Sequence, residues 1–511
     1  MRIDLISSSF KAAECRTEPW FKSRFIEEQI PLEFIQMWNE APETSTSLKL
    51  STSENQFIPS AIKLRVTAAS VPKCIVDNSL IKMWHKCNGL DLSYVYLCIN
   101  LNGGKYSVGD QLMMDLFTEL LRDDLDQLIF EGKKAKISSS LSISDNRLMF
   151  QVKGYREKLH VFFSELWKKF KSFSPKSKRF EIIKEQVASE LNNMDIKTQS
   201  EHLLLPNLYE GSYGVHEKLN ALAQITFDHL ESFIRALCSQ QVSIEGLCYG
   251  DVLEKEAVEI SEFIERTLEG PTPPKVGKKR RIVCVPHRVR FRRDANAIRK
   301  SANNSIAKVY FRIGRKKDLN EELGAMLALF DSIVDDLLFD QLRTQEHLGY
   351  ELTCDTDLTG GVCGFYIYVV SSRFNPNHLL RRIYNFVTNI RSFLENMEEE
   401  IFEDYIVSTS FKLFDGLEST WNEIVCQRYK FKWHKKEQAE LIKIQKEDLI
   451  KWYNKYFVAS SHSCRRVAVC IWGSNTNKKN KKTCERNLRI FKKLQLSSTK
   501  LRKMKWLLSK R

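Results

Sequence analysis

Two long stretches of this chain follow one plan, and that repetition constrains the fold more than any single motif does. In the first stretch, helix-like Asp115-Leu-Phe-Thr-Glu-Leu-Leu-Arg-Asp-Asp-Leu-Asp-Gln-Leu128 leads to strand-like Leu148-Met-Phe-Gln-Val-Lys-Gly154. In the second, Leu329-Phe-Asp-Ser-Ile-Val-Asp-Asp-Leu-Leu-Phe-Asp-Gln-Leu342 leads to strand-like Phe365-Tyr-Ile-Tyr-Val-Val370. The phrase D-D-L recurs at Asp124 and Asp336, 212 residues apart. A long amphipathic helix follows in each copy, Arg179–Asn192 and Glu400–Leu413. Each copy then closes on a strand that stops at glycine, Ser243–Gly250 and Arg466–Gly473. A period of about 210–225 residues is far too long for a solenoid, so it predicts duplicated domains.

A chain of 511 residues is also too long for one core. The proline-rich segment Glu269-Gly-Pro-Thr-Pro-Pro274 marks the expected boundary, giving domains over residues 53–270 and 271–511. Residues 1–52 fit neither copy. Met1–Ser8 reads as the last strand of a truncated preceding domain, with Trp20–Trp38 and the polar run Pro42–Ser53 as connector. A lone strand and connector have little core, so an upstream sequence or a partner chain is expected. Within each copy, strands and helices alternate through short links. The expected fold class is therefore α+β, a mixed or antiparallel sheet with helices packed on one face.

Thirteen cysteines run from Cys15 to Cys484 without a C-x-x-C pair, which points to a reducing, cytoplasmic setting. No window approaches the roughly 18 apolar residues of a membrane helix, and the first residues are too short and polar for a secretory leader. The formal charge of +15 is concentrated in two places. Sixteen Lys/Arg face one acid between Lys275 and Lys317, and fourteen face one between Lys478 and Arg511. Such a field could attract nucleic acid or an anionic surface, but no zinc knuckle or RNA-binding signature accompanies it. A solvated loop and tail are the expectation.

No self-sufficient active site is expected. Ten histidines form no H-x-x-E-H, H-E-x-x-H or H-x-H. His216-Glu217 lacks a second histidine, and His85 with Cys87 offers two soft ligands where zinc needs three or four. No P-loop or G-x-S-x-G elbow occurs, and Gly360-Gly361 reads as a hairpin turn. The segment most suggestive of chemistry is Phe339-Asp-Gln-Leu-Arg343-Thr-Gln-Glu-His347-Leu-Gly349-Tyr350, between an apolar helix and a strand. It can aim a guanidinium and a phenol at a ligand from a rigid scaffold. It also admits a plainer reading, a surface salt bridge plus a tyrosine packed under a turn.

F-x-x-L-R-T-x-x-x-L-G-Y resembles a segment of the C-terminal half of the nardilysin and insulin-degrading-enzyme family of zinc metallopeptidases, also called the pitrilysin or insulinase family. Further matches follow in order. Arg16-Thr-Glu-Pro-Trp20 with Ile30-Pro31 and Trp38 resembles the end of that family's second domain. Asn55-Gln-Phe-Ile-Pro59, Val152-Lys-Gly-Tyr155 and Arg179-Phe-Glu-Ile-Ile-Lys184 are similar to its third. Met83-Trp-His-Lys-Cys87 and Trp421-Asn-Glu-Ile-Val425 lean toward the nardilysin branch.

The resemblance implies a clamshell of four homologous domains enclosing a chamber where peptides are cut. It places the zinc and the glutamate base in an H-x-x-E-H motif of the first domain, which is absent here. It implies that Arg343 and Tyr350 reach the bound peptide near the scissile bond and that Phe339 lines the same wall. The expected function is the non-zinc-binding C-terminal half of a metalloendopeptidase, inactive alone, with zinc bound only by the missing half. The alternative is a catalytically inactive peptide-binding relative. Expected partners are peptide substrates, a catalytic N-terminal half (in trans or encoded upstream) and a second copy of the chain. The basic loop and basic tail have no counterpart in the resemblance.

Overall fold

The computed structural model describes residues 4, 15–20, 22–39, 54–60, 71–89, 91–101, 107–144, 147–238, 242–268, 282–283, 291–358 and 361–474. It divides into a small unit, Met1–Gln56, and a large one, Phe57–Arg511. In the small unit, β1 (Arg16–Thr17) pairs antiparallel with β2 (Arg24–Phe25), and α1 (Leu32–Asn39) follows. The strand expected at Met1–Ser8 (Asp4 apart), the polar run Pro42–Ser53, the proline-rich boundary and the basic tail lie outside the described residues, as do residues 275–281 and 284–290 of the basic stretch. The rest of that stretch is no solvated loop: Phe291–Asn296 and Ser305–Arg315 are strands, the second largely buried.

The large unit holds two sheets. The first copy runs β3 (Lys73–Asp77), β4 (Ile81–Lys86), β5 (Ser93–Leu101), α2 (Val108–Asp124), α3 (Asp126–Lys134), β6 (Ser138–Ser144) and β7 (Arg147–Gly154). Then come α4 (Arg156–Ser172), α5 (Ser177–Asn192), α6 (Ile196–Leu208), α7 (Val215–Gln224), α8 (Phe227–Cys238), β8 (Val242–Gly250) and α9 (Glu254–Thr267). The second copy runs β9 (Phe291–Asn296), β10 (Ser305–Arg315), α10 (Glu321–Leu338), a π-helix (Phe339–Gln345), β11 (Glu351–Asp357) and β12 (Val362–Ser371). It continues through α11 (Pro376–Asn396), α12 (Glu399–Lys412), α13 (Leu417–Val425), α14 (Trp433–Leu441), α15 (Lys446–Tyr456) and β13 (Arg466–Trp472).

The two sheets share one topology. Their orders are β3-β4-β8-β5-β7-β6 and, read from the equivalent edge, β9-β13-β10-β12-β11. In each, one parallel pair joins the closing strand to its outer neighbour, β4 with β8 and β9 with β13, and the other pairs are antiparallel. The duplication read from the sequence is thus a duplication of sheet order, with β3 as an extra edge strand. The architecture is α+β, as the alternation of elements predicts.

Strand periodicity sets where each core lies. In β7, Leu148, Phe150 and Val152 are buried at alternate positions, and the helix-side core adds Val95, Leu97, Phe162 and Trp167. In the second copy, Ala307, Val309 and Phe311 of β10 meet Phe330, Phe365 and Phe457. Burying each of these large side chains contributes roughly 1.5–3 kcal/mol. β10 is buried on both faces because Ile306 and Tyr310 point away from this core, into a second one.

That second face explains how the copies hold each other. Ile196, Leu204 and Leu208 of α6, in the first copy, pack on Ile306, Tyr310, Val469 and Ile471 of the second sheet. Reciprocally, Trp421 and Ile424 of α13, in the second copy, pack on Tyr96, Cys98, Leu247 and Tyr249 of the first sheet. Trp421 meets Tyr96 edge-on at 5.5 Å between ring centroids, and Trp84 lies 5.1 Å from Tyr429 and 4.7 Å from Phe431. Arg147 Nη1 donates to the Val425 carbonyl at 2.7 Å, and Gln199 Nε2 to the Asn296 carbonyl at 2.8 Å. Each copy covers its partner's sheet with an equivalent helix.

Two local readings are corrected. The helix expected over Asp115–Leu128 is two helices divided at Leu125, whose N–H still bonds the Leu121 carbonyl at 3.0 Å. The helix expected to reach Leu342 leaves the α register at Leu338 and continues as a π-helix to Gln345. Among the described residues, no helix is long and apolar enough to cross a membrane.

Candidate functional site

α10 starts on Asn320, whose side chain accepts the Leu323 N–H at 2.9 Å, and buries Leu327, Leu329, Phe330, Ile333, Val334 and Leu338. The following π-helix widens the turn, so side chains five apart lie over each other. Gln345 Nε2 donates to Asp340 Oδ2 at 2.8 Å, and Thr344 Oγ1 to the Phe339 carbonyl at 3.4 Å. Leu342 and, beyond the helix, Leu348 are fully buried. These apolar anchors leave Phe339 50 % exposed and Tyr350 92 % exposed. The Arg343 guanidinium lies 4.7 Å from the Phe339 ring centroid.

The exit from the helix is tightly determined. The Glu346 N–H bonds the Gln341 carbonyl and the Leu348 N–H bonds the Leu342 carbonyl, both at 3.0 Å. His347 adopts φ +50°, a left-handed conformation that reverses the chain. Gly349 then runs so close to β12 that a Cβ there would lie 1.9 Å from the Val370 carbonyl oxygen. Only glycine permits this approach, and it delivers Tyr350 immediately before β11.

The structure therefore brings Phe339 and Arg343 together and sets Tyr350 at the other end of the same segment. It departs from the plainer reading at both polar residues. Among the described residues no carboxylate forms an ion pair with Arg343, which stacks on an aromatic ring instead. Tyr350 is not packed under a turn. Glu346 and Arg382 were not singled out by sequence. Arg382 Nε and Nη2 reach Glu346 Oε2 and Oε1 at 2.5 Å each, and Gln341 Nε2 donates to Oε1 at 3.1 Å. Burial works against the Glu346 carboxylate, but the bonds from Arg382 and Gln341 prevail and hold it below the usual glutamate range. The one sequence signal was the acid itself, three residues after Arg343; its partner lies on another helix.

Comparison with known proteins shows what this chain resembles. Residues 1–221 match the family model described as the middle or third domain of peptidase M16. Residues 329–413 match the C-terminal lobe domain 4 of PQQ synthase PqqF-like proteins. The chain is 37% identical to a nardilysin-like protein of Arabidopsis thaliana, over 96% of this chain and 50% of that protein. The chain belongs to the nardilysin and insulinase-like M16 peptidase family. It is also 28% identical to the insulin-degrading enzyme of Homo sapiens, over 92% of this chain and 47% of that enzyme. The chain spans about half the length of the curated relatives it matches. Its fold is that of the pitrilysin crystal structure, with a TM-score of 0.70 at 19% identity over 83% of this chain and 46% of that one. A Pseudomonas fluorescens structure described as a peptidase M16 inactive domain matches with a TM-score of 0.58 at 12% identity, over 81% of this chain and 99% of that one.

M16 peptidases of this type imply zinc, and the described residues do not fit it. Among them, no three His, Cys, Asp or Glu side chains converge as a ligand set. His85 is engaged instead with the Val252 carbonyl at 2.6 Å, and Glu217 accepts the Gly214 N–H at 2.9 Å as a helix cap. Burial pushes the Cys98 and Cys248 thiols up to about 12, far from the thiolate a ligand or nucleophile needs.

Proposed function

We propose that this chain forms the substrate-enclosing C-terminal half of a nardilysin-like zinc metalloendopeptidase. The observation that carries the reading is the segment from Phe339 to Tyr350, where a stacked guanidinium and an exposed phenol are presented by residues locked into the core. In this reading Arg343 and Tyr350 donate hydrogen bonds to a substrate carbonyl near the scissile bond. A donor fork held in place before the substrate arrives stabilises negative charge as it develops, without reorganisation. Phe339 keeps the fork in one rotamer and supplies an apolar wall. The zinc and the general base belong to a separate N-terminal half.

The substrates proposed are peptides. A cytoplasmic setting is part of the reading, and Cys74, Cys98, Cys248, Cys354, Cys363, Cys426 and Cys464, none of them in a disulfide, support it. The test is reconstitution. The chain is mixed with a catalytic half carrying H-x-x-E-H, and hydrolysis of an internally quenched peptide is followed. Neither half is expected to cleave alone. Arg343→Ala should lower kcat/KM by roughly 100-fold, the scale of losing one oxyanion donor, and Tyr350→Phe by roughly tenfold. Wild-type rates from both variants would sink the assignment.

A further inference from the structure

We propose that Arg382 is a positioning residue for Arg343 and acts through Glu346. The inference rests on the function proposed above and identifies what holds its substrate-facing side chains in place. A π-helix is a strained register that persists where its surroundings demand it. Relaxing by one residue to the α register would turn Arg343 and Phe339 by about 100° around the axis and aim them elsewhere.

Apolar anchoring by Leu342 fixes the depth of the π-helix in the core, but a single buried leucine does not fix rotation. The Glu346 carboxylate does. It accepts both nitrogens of the Arg382 fork at 2.5 Å and, within the same segment, Gln341 Nε2 at 3.1 Å. One carboxylate thus ties residue 341 and residue 346 to α11. The pair is shielded, with side-chain exposures of 29% for Arg382 and 18% for Glu346, so solvent screens it less than a surface pair. α11 is a rigid anchor, because Leu379, Ile383 and Phe386 on its inner face are buried.

The neighbouring charges support the same picture. His378, one turn before Arg382, stacks on Phe374 at 4.5 Å and bonds Arg381 Nη2 at 3.1 Å. Burial first, then Arg381 and Arg382, keep its pKa below the usual histidine range, against the pull of Glu346. A neutral His378 does not compete with Arg382 for the carboxylate. Arg382 bonds the Glu346 carboxylate, so its hold on the exposed side chains of the segment runs through that group.

Hydrogen exchange on the full chain tests the device without any protease assay. In Arg382→Ala, exchange across residues 339–348 should rise about tenfold or more, while α10 and α11 keep wild-type protection. Glu346→Gln should loosen the same residues less. The charge-swapped pair Glu346→Arg with Arg382→Glu should restore part of the protection. Wild-type exchange in Arg382→Ala overturns the proposal. In the reconstituted peptidase, Arg382→Ala should lower kcat about tenfold and leave KM near wild type. On an Arg343→Ala background the same change should cost little, because both act through one contact. An equal tenfold loss on that background overturns positioning in favour of an independent structural role. If Arg343→Ala itself is fully active while exchange responds as expected, the clamp stands and the substrate-contact reading fails.

Discussion

The Arg343 guanidinium lies 4.7 Å from the Phe339 ring centroid, four residues earlier in the same π-helix. An arginine free in solvent samples many rotamers, and ordering it on binding costs part of the interaction it makes. A ring beneath the guanidinium removes much of that cost beforehand. The five N–H donors stay available, because stacking uses the face of the guanidinium and not its edge.

Phe339→Leu tests this directly. The ring is half exposed, so thermal stability should change by less than about 1 kcal/mol, whereas kcat/KM in the reconstituted peptidase should fall about threefold, the scale of an exposed cation–π contact. Equal rates for variant and wild type would remove the stack from the argument.

Gly349→Ala should be far more disruptive than its single methyl suggests. The added Cβ would meet the Val370 carbonyl oxygen at 1.9 Å, backbone against backbone, so the turn or β12 must move. A cost of about 1–3 kcal/mol is expected from the urea midpoint. Gly314→Ala is the control, since nothing lies within 4 Å of its added carbon, and it should change stability by less than about 0.5 kcal/mol.

Asp331 in α10 makes stability depend on pH. Burial first, then Asp355 and Asp335, raise its pKa to about 7, with Lys412 opposing. The folded state therefore holds this proton more tightly than the unfolded state. Its contribution is complete below the unfolded value of 3.8 and is lost as pH rises through about 7. Asp331→Asn should gain stability over wild type at pH 8, on the order of 1–4 kcal/mol. That advantage should vanish toward pH 4. Chemical denaturation at both pH values checks it, and a constant difference would exclude the titration.

Trp421→Ala should separate the two copies before it unfolds either. Trp421 is 3% exposed and is built into the first sheet's outer face beside Tyr96. Its removal should cost about 3–5 kcal/mol. Calorimetry should then resolve two transitions where wild type shows one, because the loss falls on the contact between copies. A single cooperative transition at lower temperature would place the energy elsewhere.

Much of this was legible beforehand because the signals were local. The closing strands before Gly250 and Gly473, the helix from Arg179 to Asn192, and the strand around Phe150 each carry their own periodicity. Sheet order is visible only when both copies are compared in space, since β8 and β13 enter between strands made much earlier. The π-helix was missed because its sequence, Phe339 to Gln345, contains nothing that forbids an α-helix. What selects the wider register is Glu346 held by Arg382 from another helix, together with the burial of Leu342 and Leu348. Phe339 stands four residues before Arg343, a spacing that juxtaposes side chains in an α-helix too, so the stack could have been read from sequence whereas the wider register could not.

The exchange of α6 and α13 between copies bears on how such a chain can be divided. Each sheet lacks one helical cover of its own and borrows it, so neither copy expressed by itself has a finished surface. Cut at the proline-rich link near Pro271 and Pro274, the two fragments are two halves of a handshake. Expressed together without a linker, they should find each other through Ile196, Leu204 and Leu208 on one side and Trp421 and Ile424 on the other. Covalent continuity would then matter less to this architecture than mutual wrapping does.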